Sequence, residues 1–320
     1  MSPPEGRGFD LGAEARGGEF VRQASRFRDV LGAEGAGAEA GRYHLYISAA
    51  CPWSQRAMIV RVLHGLEGAI SMSEVDPVRD DRGWAFTEPD FSDPVNGFGW
   101  LSQAYEATDP GFDGRVSVPV LWDRQQRQIV NNESADLVRF LGSAFHAVAE
   151  HPVDLYPLEL RAEIDELNER IYETVNNGVY RAGFARSQPA YDMAFDALFE
   201  TLDELEQRLS DRRYLLGDRL TEADWRLFPT LVRFDSVYHV HFKCNRRRLV
   251  DYPSLWGYTR ELYAQPGIAA TVNMDHIKRH YFCTHPMINP SRLIARGPEL
   301  DFTAPHDRAS VSQRHSGEPR

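Results

Sequence analysis

Tyr43-His-Leu-Tyr-Ile-Ser48-Ala-Ala-Cys51-Pro-Trp-Ser54, followed by an apolar-periodic run from Met58 to Leu63, is the stretch on which the fold turns. A short strand-forming segment, a cysteine, and then proline where a helix would begin place one sulfur at a helix N-terminus. First-turn N–H groups lack intrahelical partners and the helix dipole is positive at that end, so an anionic sulfur is favoured there. Cys51 is therefore expected to be a nucleophile. A buried, inert thiol is the plain alternative, and the junction with Pro52 argues against it. Ser54 stands where a second cysteine would close a dithiol pair, so any mixed disulfide at Cys51 needs an external thiol to resolve it.

Outward from this junction, the helix after Cys51 is expected to end near His64-Gly65, with glycine at the C′ position, and Ala69 to Val75 reads as a second strand. From Asp76 to about Gly114 the chain is irregular and carries Trp84, Phe86, Phe98, Trp100 and Tyr105. Such an aromatic insertion is expected to pack near the reactive sulfur. Val118-Pro-Val-Leu-Trp-Asp123 and Gln128-Ile-Val130 read as two more strands, and Ser134 to about Phe145 as a helix with Leu137, Val138, Leu141 and Phe145 on one face. The order βαβ then ββα is the glutaredoxin topology, a thioredoxin-like arrangement.

From Leu160 the period becomes helical. Ile164, Leu167, Ile171, Val175 and Val179 form one stripe, and Phe195, Leu198, Phe199, Leu202, Leu205 and Leu209 another. Thr221 and Asp224 before Trp225 have the spacing of a capping box. The expected fold class is α/β plus all-α, a thioredoxin-like domain followed by a helical domain. The boundaries read as an extension over 1–42, the thioredoxin-like domain over 43–146 with its insertion at 76–114, a linker over 147–159, the helical domain over 160–285 and a tail over 286–320. The extension is expected to begin unstructured, whereas Phe20 and Phe27 are spaced to dock.

Composition narrows the function. A net charge of -11 in 320 residues opposes a general nucleic-acid surface, and Arg246-Arg247-Arg248 reads as a solvated loop. Three cysteines make no disulfide framework, the start of the chain has no apolar leader and no stretch is long enough to span a bilayer, so a cytoplasmic protein without membrane or nucleic-acid partners is expected. His239, His241 and Cys244, with His280, Cys283 and His285, match no zinc spacing, and no metal is expected.

The need for an external thiol gives two further pairs a meaning. A cis Pro119 at the start of the third strand would expose the backbone of Val118 for pairing with an extended peptide. Glu133 and Ser134, at the next helix N-terminus, offer a carboxylate for an ammonium and a hydroxyl with free N–H groups for a carboxylate. Singly these are ordinary strand entry and an ordinary N-cap. Jointly with Cys51 they suit the γ-glutamyl end of glutathione.

The chain resembles the glutathionyl-hydroquinone reductases, the Xi-class glutathione transferases, from about Gly18 to Pro298. The resemblance lies in Tyr43 to Trp53, Arg82-Gly-Trp84, Val118 to Asp123, Asn132-Glu-Ser134, Thr174-Val-Asn-Asn-Gly-Val-Tyr180-Arg-Ala-Gly-Phe184, Leu231 to Asp235, His241 to Cys244, and His276-Ile-Lys-Arg-His-Tyr281-Phe282. It implies a glutathione-transferase-like fold, a homodimer, and glutathione as co-substrate with no bound cofactor. It further implies Cys51 as nucleophile, Trp84, Val118, Glu133 and Ser134 holding glutathione, and Tyr180 and Tyr281 facing the quinol hydroxyls. Whether Arg115 or Val116 joins the glutathione site stays open, and Ser54 departs from the common Cys-Pro-Trp-Ala. The implied activity is glutathione-dependent reduction of glutathionyl-hydroquinones through a Cys51 mixed disulfide. An omega-like thioltransferase or dehydroascorbate reductase is the alternative, and a non-catalytic module of the same fold a weaker one.

Overall fold

The computed structural model describes residues 15–31 and 38–311. The unstructured start expected for the extension falls, up to residue 14, outside the described residues. In chain order, β1 (Ala15–Arg16) and β2 (Glu19–Phe20) form a short hairpin, then come β3 (Tyr43–Ile47), α1 (Pro52–Leu63), β4 (Ile70–Glu74), α2 (Ser102–Thr108), β5 (Val120–Asp123), β6 (Gln128–Asn131) and α3 (Ser134–Ala144). The helical half contains α4 (Arg161–Ile171), α5 (Gly178–Gly183), α6 (Gln188–Asp211), α7 (Glu222–Leu231), α8 (His239–His241), α9 (Pro253–Tyr263) and α10 (Met274–Thr284).

By contacts the chain divides into two compact units, one containing Arg22–Val153 with Ala270–Ile294, the other Ala15–Val21 with Asp154–Ala269 and the segment from Ala295 onward. The first unit is built on a sheet of order β4-β3-β5-β6, with β3 parallel to β4 and antiparallel to β5, which is antiparallel to β6. Tyr43 pairs with Ile70 on one side and Asp123 on the other, so β3 is central. All five of its residues are buried, which suits a strand covered on both faces. The polar one, His44, is met by Ser71 Oγ at 2.7 Å from Nδ1. The helix α1 begins with proline at its first position and ends before Gly65, whose φ of +61° is open to glycine and costly for a residue with a Cβ.

The segment around Phe27 extends this sheet beyond β6. Arg28 bridges Asn131 in antiparallel sense, Asp29 N–H donates to Val130 O at 3.1 Å, and Asn132 N–H donates to Phe27 O at 3.0 Å. The Phe27 ring docks against Phe112 and Tyr105 of the aromatic insertion, while Phe20 docks against Tyr180 and Phe184 in the other unit.

In the second unit the stripe from Phe195 to Leu209 lies on α6, and Thr221 and Asp224 form the capping box of α7. The stripe from Ile164 to Val179 departs from a continuous helix. A π-helical stretch over Tyr172–Asn176 separates α4 from α5, with Asn177 N–H donating to Tyr172 O at 2.8 Å. Within α4 the buried positions are Ile164, Asn168 and Ile171, so Asn168 lies inside and Leu167 is only half-buried.

The hairpin of β1 and β2 groups with the helical half in the second unit, and α10 groups with the sheet in the first. Periodicity reports that a helix has an apolar face, but not which core that face enters.

Candidate active site

Cys51 occupies the N-cap of α1 with extended backbone (φ -82°, ψ 124°). Its N–H donates to Ser48 O at 3.0 Å, a tight turn that ends the strand and turns the sulfur toward β5. The Sγ lies 3.7 Å from Val118 O, and the Val118-Pro119 bond is cis. Ser54 is fully buried, its Oγ accepting from Ser48 N–H at 3.3 Å, so its hydroxyl braces the turn that presents Cys51. Glu74, at the end of β4, accepts from Ala49 N–H at 2.8 Å and thereby holds the same turn from the other side.

Glu133 is the N-cap of α3. One carboxylate oxygen accepts from Ala135 N–H at 3.1 Å and the other from Ser25 Oγ at 2.9 Å, while Asn131 Oδ1 accepts from Glu133 N–H at 2.7 Å. Ser134, the first residue of α3, is buried and accepts from the guanidinium of Arg56 at 3.4 Å. Arg56 projects from α1 one turn beyond Cys51 and lies over the Trp53 ring at 4.6 Å, and Arg22 reaches the same ring at 4.9 Å. Positive charge thus stands beside a helix N-terminus, an arrangement suited to a carboxylate. Neither Arg56 nor Ser25 carries a motif signal. A buried arginine on α1 is the recognisable oddity.

Trp84, supplied by the insertion, shares one core cluster with Cys51, Val116, Val118, Tyr105 and Phe112. Its indole stacks on the His280 ring at 5.1 Å, Arg79 lies over it at 5.2 Å, and its Nε1 is buried without a hydrogen-bond partner among the described residues. Val116 is a core side chain, whereas Arg115 is half-buried and its charge acts on the Tyr105 phenol. On α10, His276 Nδ1 meets the Glu74 carboxylate at 2.8 Å and His280 Nδ1 donates to Pro77 O at 2.7 Å. Tyr281 follows, buried, with its ring edge-on to His280 and His285.

Tyr180 belongs to the second unit, on α5 four residues beyond the π-helical stretch. Its ring contacts Phe20, Phe184, Tyr238 and Phe242, and Tyr238 ends a second π-helical stretch, Phe234–Tyr238.

Among the described residues no group of three or more His, Cys, Asp or Glu is arranged to hold a metal. Burial lowers the His241 pKa to about 4 and pushes the Cys244 thiol well up. Each arginine of the 246–248 run faces an acid, Asp196, Asp203 and Asp251 in turn, so the run offers no unbalanced basic surface. No helix among the described residues is long and apolar enough to cross a membrane.

A cysteine at the head of α1 facing a cis Val-Pro, on a sheet of this order, is the arrangement of a glutathione transferase. Two family models agree, the glutathione S-transferase N-terminal domain over residues 50–144 and the C-terminal domain over 188–261. The chain is 51% identical over 287 residues to the glutathionyl-hydroquinone reductase PcpF of Sphingobium chlorophenolicum, covering 89% of this chain and 91% of that one. It is 50% identical over 307 residues to the glutathionyl-hydroquinone reductase YqjG of Escherichia coli, covering 92% and 94%. The glutathione-bound structure of YqjG matches with a TM-score of 0.87 over 89% of this chain and 96% of that one. A Xi-class transferase of Natrialba magadii matches at 49% identity and a TM-score of 0.87, covering 90% and 89%. The chain belongs to the Xi-class glutathione transferases, the family of the glutathionyl-hydroquinone reductases.

Proposed function

We propose that the protein reduces glutathionyl-hydroquinones to hydroquinones at the expense of glutathione, with Cys51 as the nucleophile. The observation that carries this reading is the Cys51 sulfur at the head of α1, 3.7 Å from Val118 O, with serine and no second thiol one turn on. The Cys51 thiolate attacks the sulfur of the substrate thioether. The S–S bond forms as the carbon–sulfur bond breaks, and the electron pair leaves with the ring carbon, which takes up a proton to give the hydroquinone. A second glutathione, as thiolate, attacks the glutathionyl sulfur of the mixed disulfide, returns Cys51 to its thiolate and departs as oxidised glutathione. The net change is one thioether and one thiol converted into a hydroquinone and a disulfide.

The glutathionyl group of the substrate rests on the backbone of Val118, on Glu133 and Ser134 at the head of α3, and on Trp84. The substrate ammonium is assigned to Glu133 and its γ-glutamyl carboxylate to Ser134, with Arg56 beside it. Tyr180 and Tyr281 are assigned to the quinol, where phenolic O–H groups stabilise charge on the ring oxygens and deliver the proton. The working form is a homodimer in the cytoplasm, where reduced glutathione is supplied. A fission-yeast relative named as an omega-like glutathione S-transferase, 44% identical over 89% of this chain, keeps the thioltransferase reading as the competitor.

Turnover of a panel of glutathionyl-hydroquinones and of a simple glutathione mixed disulfide tests the choice. Preference for the hydroquinones that falls in Tyr180→Phe and Tyr281→Phe supports the reading. Equal preference for the disulfide, unmoved by both substitutions, removes it in favour of the thioltransferase.

A further inference from the structure

The hydroxyl of Tyr105 engages both backbone groups of a single residue. It donates to Ser117 O at 2.7 Å and accepts from Ser117 N–H at 3.1 Å, and Asn132 Nδ2 donates to the same oxygen at 3.0 Å. Asn132 is held in turn, its Oδ1 accepting from Phe27 N–H at 3.1 Å. Tyr105 is completely buried, and burial raises its pKa, so the phenol stays neutral and keeps the proton that it donates.

Ser117 immediately precedes Val118, and Asn132 immediately precedes Glu133 and Ser134. The N–H and C=O of Ser117 are thus both occupied from the insertion side, and the carbonyl of the next residue, Val118, faces Cys51 Sγ at 3.7 Å. One oxygen on α2 therefore ties together the residue before Val118 and the residue before Glu133.

We propose that Tyr105 is a positioning residue for the glutathionyl group, holding the Val118 backbone and the Glu133-Ser134 helix head at the separation that the γ-glutamyl and cysteinyl parts require. The inference rests on the assignment of those three residues to glutathione under the proposed function. Tyr105 itself touches no substrate and acts through Ser117 and Asn132.

The test is steady-state kinetics at saturating glutathione with the glutathionyl-hydroquinone varied, together with calorimetric titration of glutathione. Tyr105→Phe keeps the ring against Phe27 and Phe112 and removes only the hydroxyl. The expected result is a KM and a glutathione Kd each raised about tenfold, with kcat within about twofold of the parent. Ser117→Ala removes a hydroxyl 3.3 Å from both the Tyr105 oxygen and Asn132 Nδ2 but leaves the shorter grip on the backbone intact, and is expected to change neither constant by more than about twofold. Asn132→Ala removes one leg of the network and is expected to raise KM in the same sense, and it decides the matter if Tyr105→Phe does not fold. A Tyr105→Phe enzyme that melts earlier but keeps its KM and Kd overturns the proposal. Glu133→Ala separates the two readings: raised constants in Glu133→Ala alone refute the role of Tyr105 and leave the site standing, whereas unchanged constants in both variants refute both.

Discussion

The indole of Trp84 lies parallel to the imidazole of His280, with centroids 5.1 Å apart and planes inclined by 18°. A residue of the insertion is thereby stacked on α10, the helix that also carries Tyr281. The buried Trp84 Nε1 has no hydrogen-bond partner among the described residues, a donor whose desolvation goes uncompensated there. Trp84→Phe is accordingly expected to leave thermal stability unchanged or slightly higher while raising KM for the glutathionyl substrate about three- to tenfold. Calorimetry beside kinetics checks the split; a loss of stability with KM unchanged would assign the indole to packing alone.

Arg56 donates to Ser134 Oγ while lying over Trp53. Lysine would keep the charge but lose the planar fork that stacks and donates at once. Arg56→Lys is expected to raise KM for the glutathionyl substrate about threefold, and Arg56→Ala about tenfold with a stability loss of about 1–3 kcal/mol. Denaturant unfolding and kinetics on the same preparations measure both effects.

The central strand contains a titration switch for stability. His44 is fully buried, its Nε2 has no partner among the described residues, and burial lowers its pKa to about 4 from an ordinary value of 6.5. Between these values the unfolded chain binds a proton that the folded chain refuses, so stability is present in full above pH 6.5 and is lost as pH falls toward 4. Urea unfolding at pH 7 and pH 4.5 is expected to differ by about 2–3 kcal/mol from this imidazole alone. His44→Gln, which retains a partner for Ser71, is expected to remove that share of the difference.

Gly183 allows the Phe242 ring to approach the backbone just beyond Tyr180. A Cβ built at this position would stand 2.2 Å from Phe242 Cγ. Gly183→Ala therefore forces apart the aromatic group that surrounds Tyr180, with an expected loss of about 1–3 kcal/mol and a fall in turnover of the hydroquinone substrate. Phe242→Leu in the alanine background, by freeing space, is expected to recover part of the stability, which thermal melts of the single and double variants would reveal.

The place of Cys51 at the head of α1 was legible because its signals are local: strand, cysteine, proline and a helical period follow one another within about twenty residues, and Val118-Pro119 and Glu133-Ser134 stand beside the element starts that the same patterns mark. What escaped the sequence is long-range. Nothing near Arg56 says that its charge turns inward to Ser134, and nothing near Tyr105 says that its hydroxyl reaches Ser117 and Asn132. The entry of α10 into the first unit depends on His276 meeting Glu74 and His280 meeting Trp84, pairings about two hundred residues apart. The π-helical stretch before Tyr180 escaped for a different reason, since a fixed period of 3.6 has no place for an inserted residue.

Intact-protein mass spectrometry of a single turnover, with a glutathionyl-hydroquinone and no free glutathione, tests the role of Cys51 most directly. The account predicts one glutathionyl group on the protein, mapped to Cys51, for each hydroquinone released, and its discharge as oxidised glutathione when glutathione is added. Hydroquinone release without an adduct, or undiminished turnover by Cys51→Ala, would contradict it.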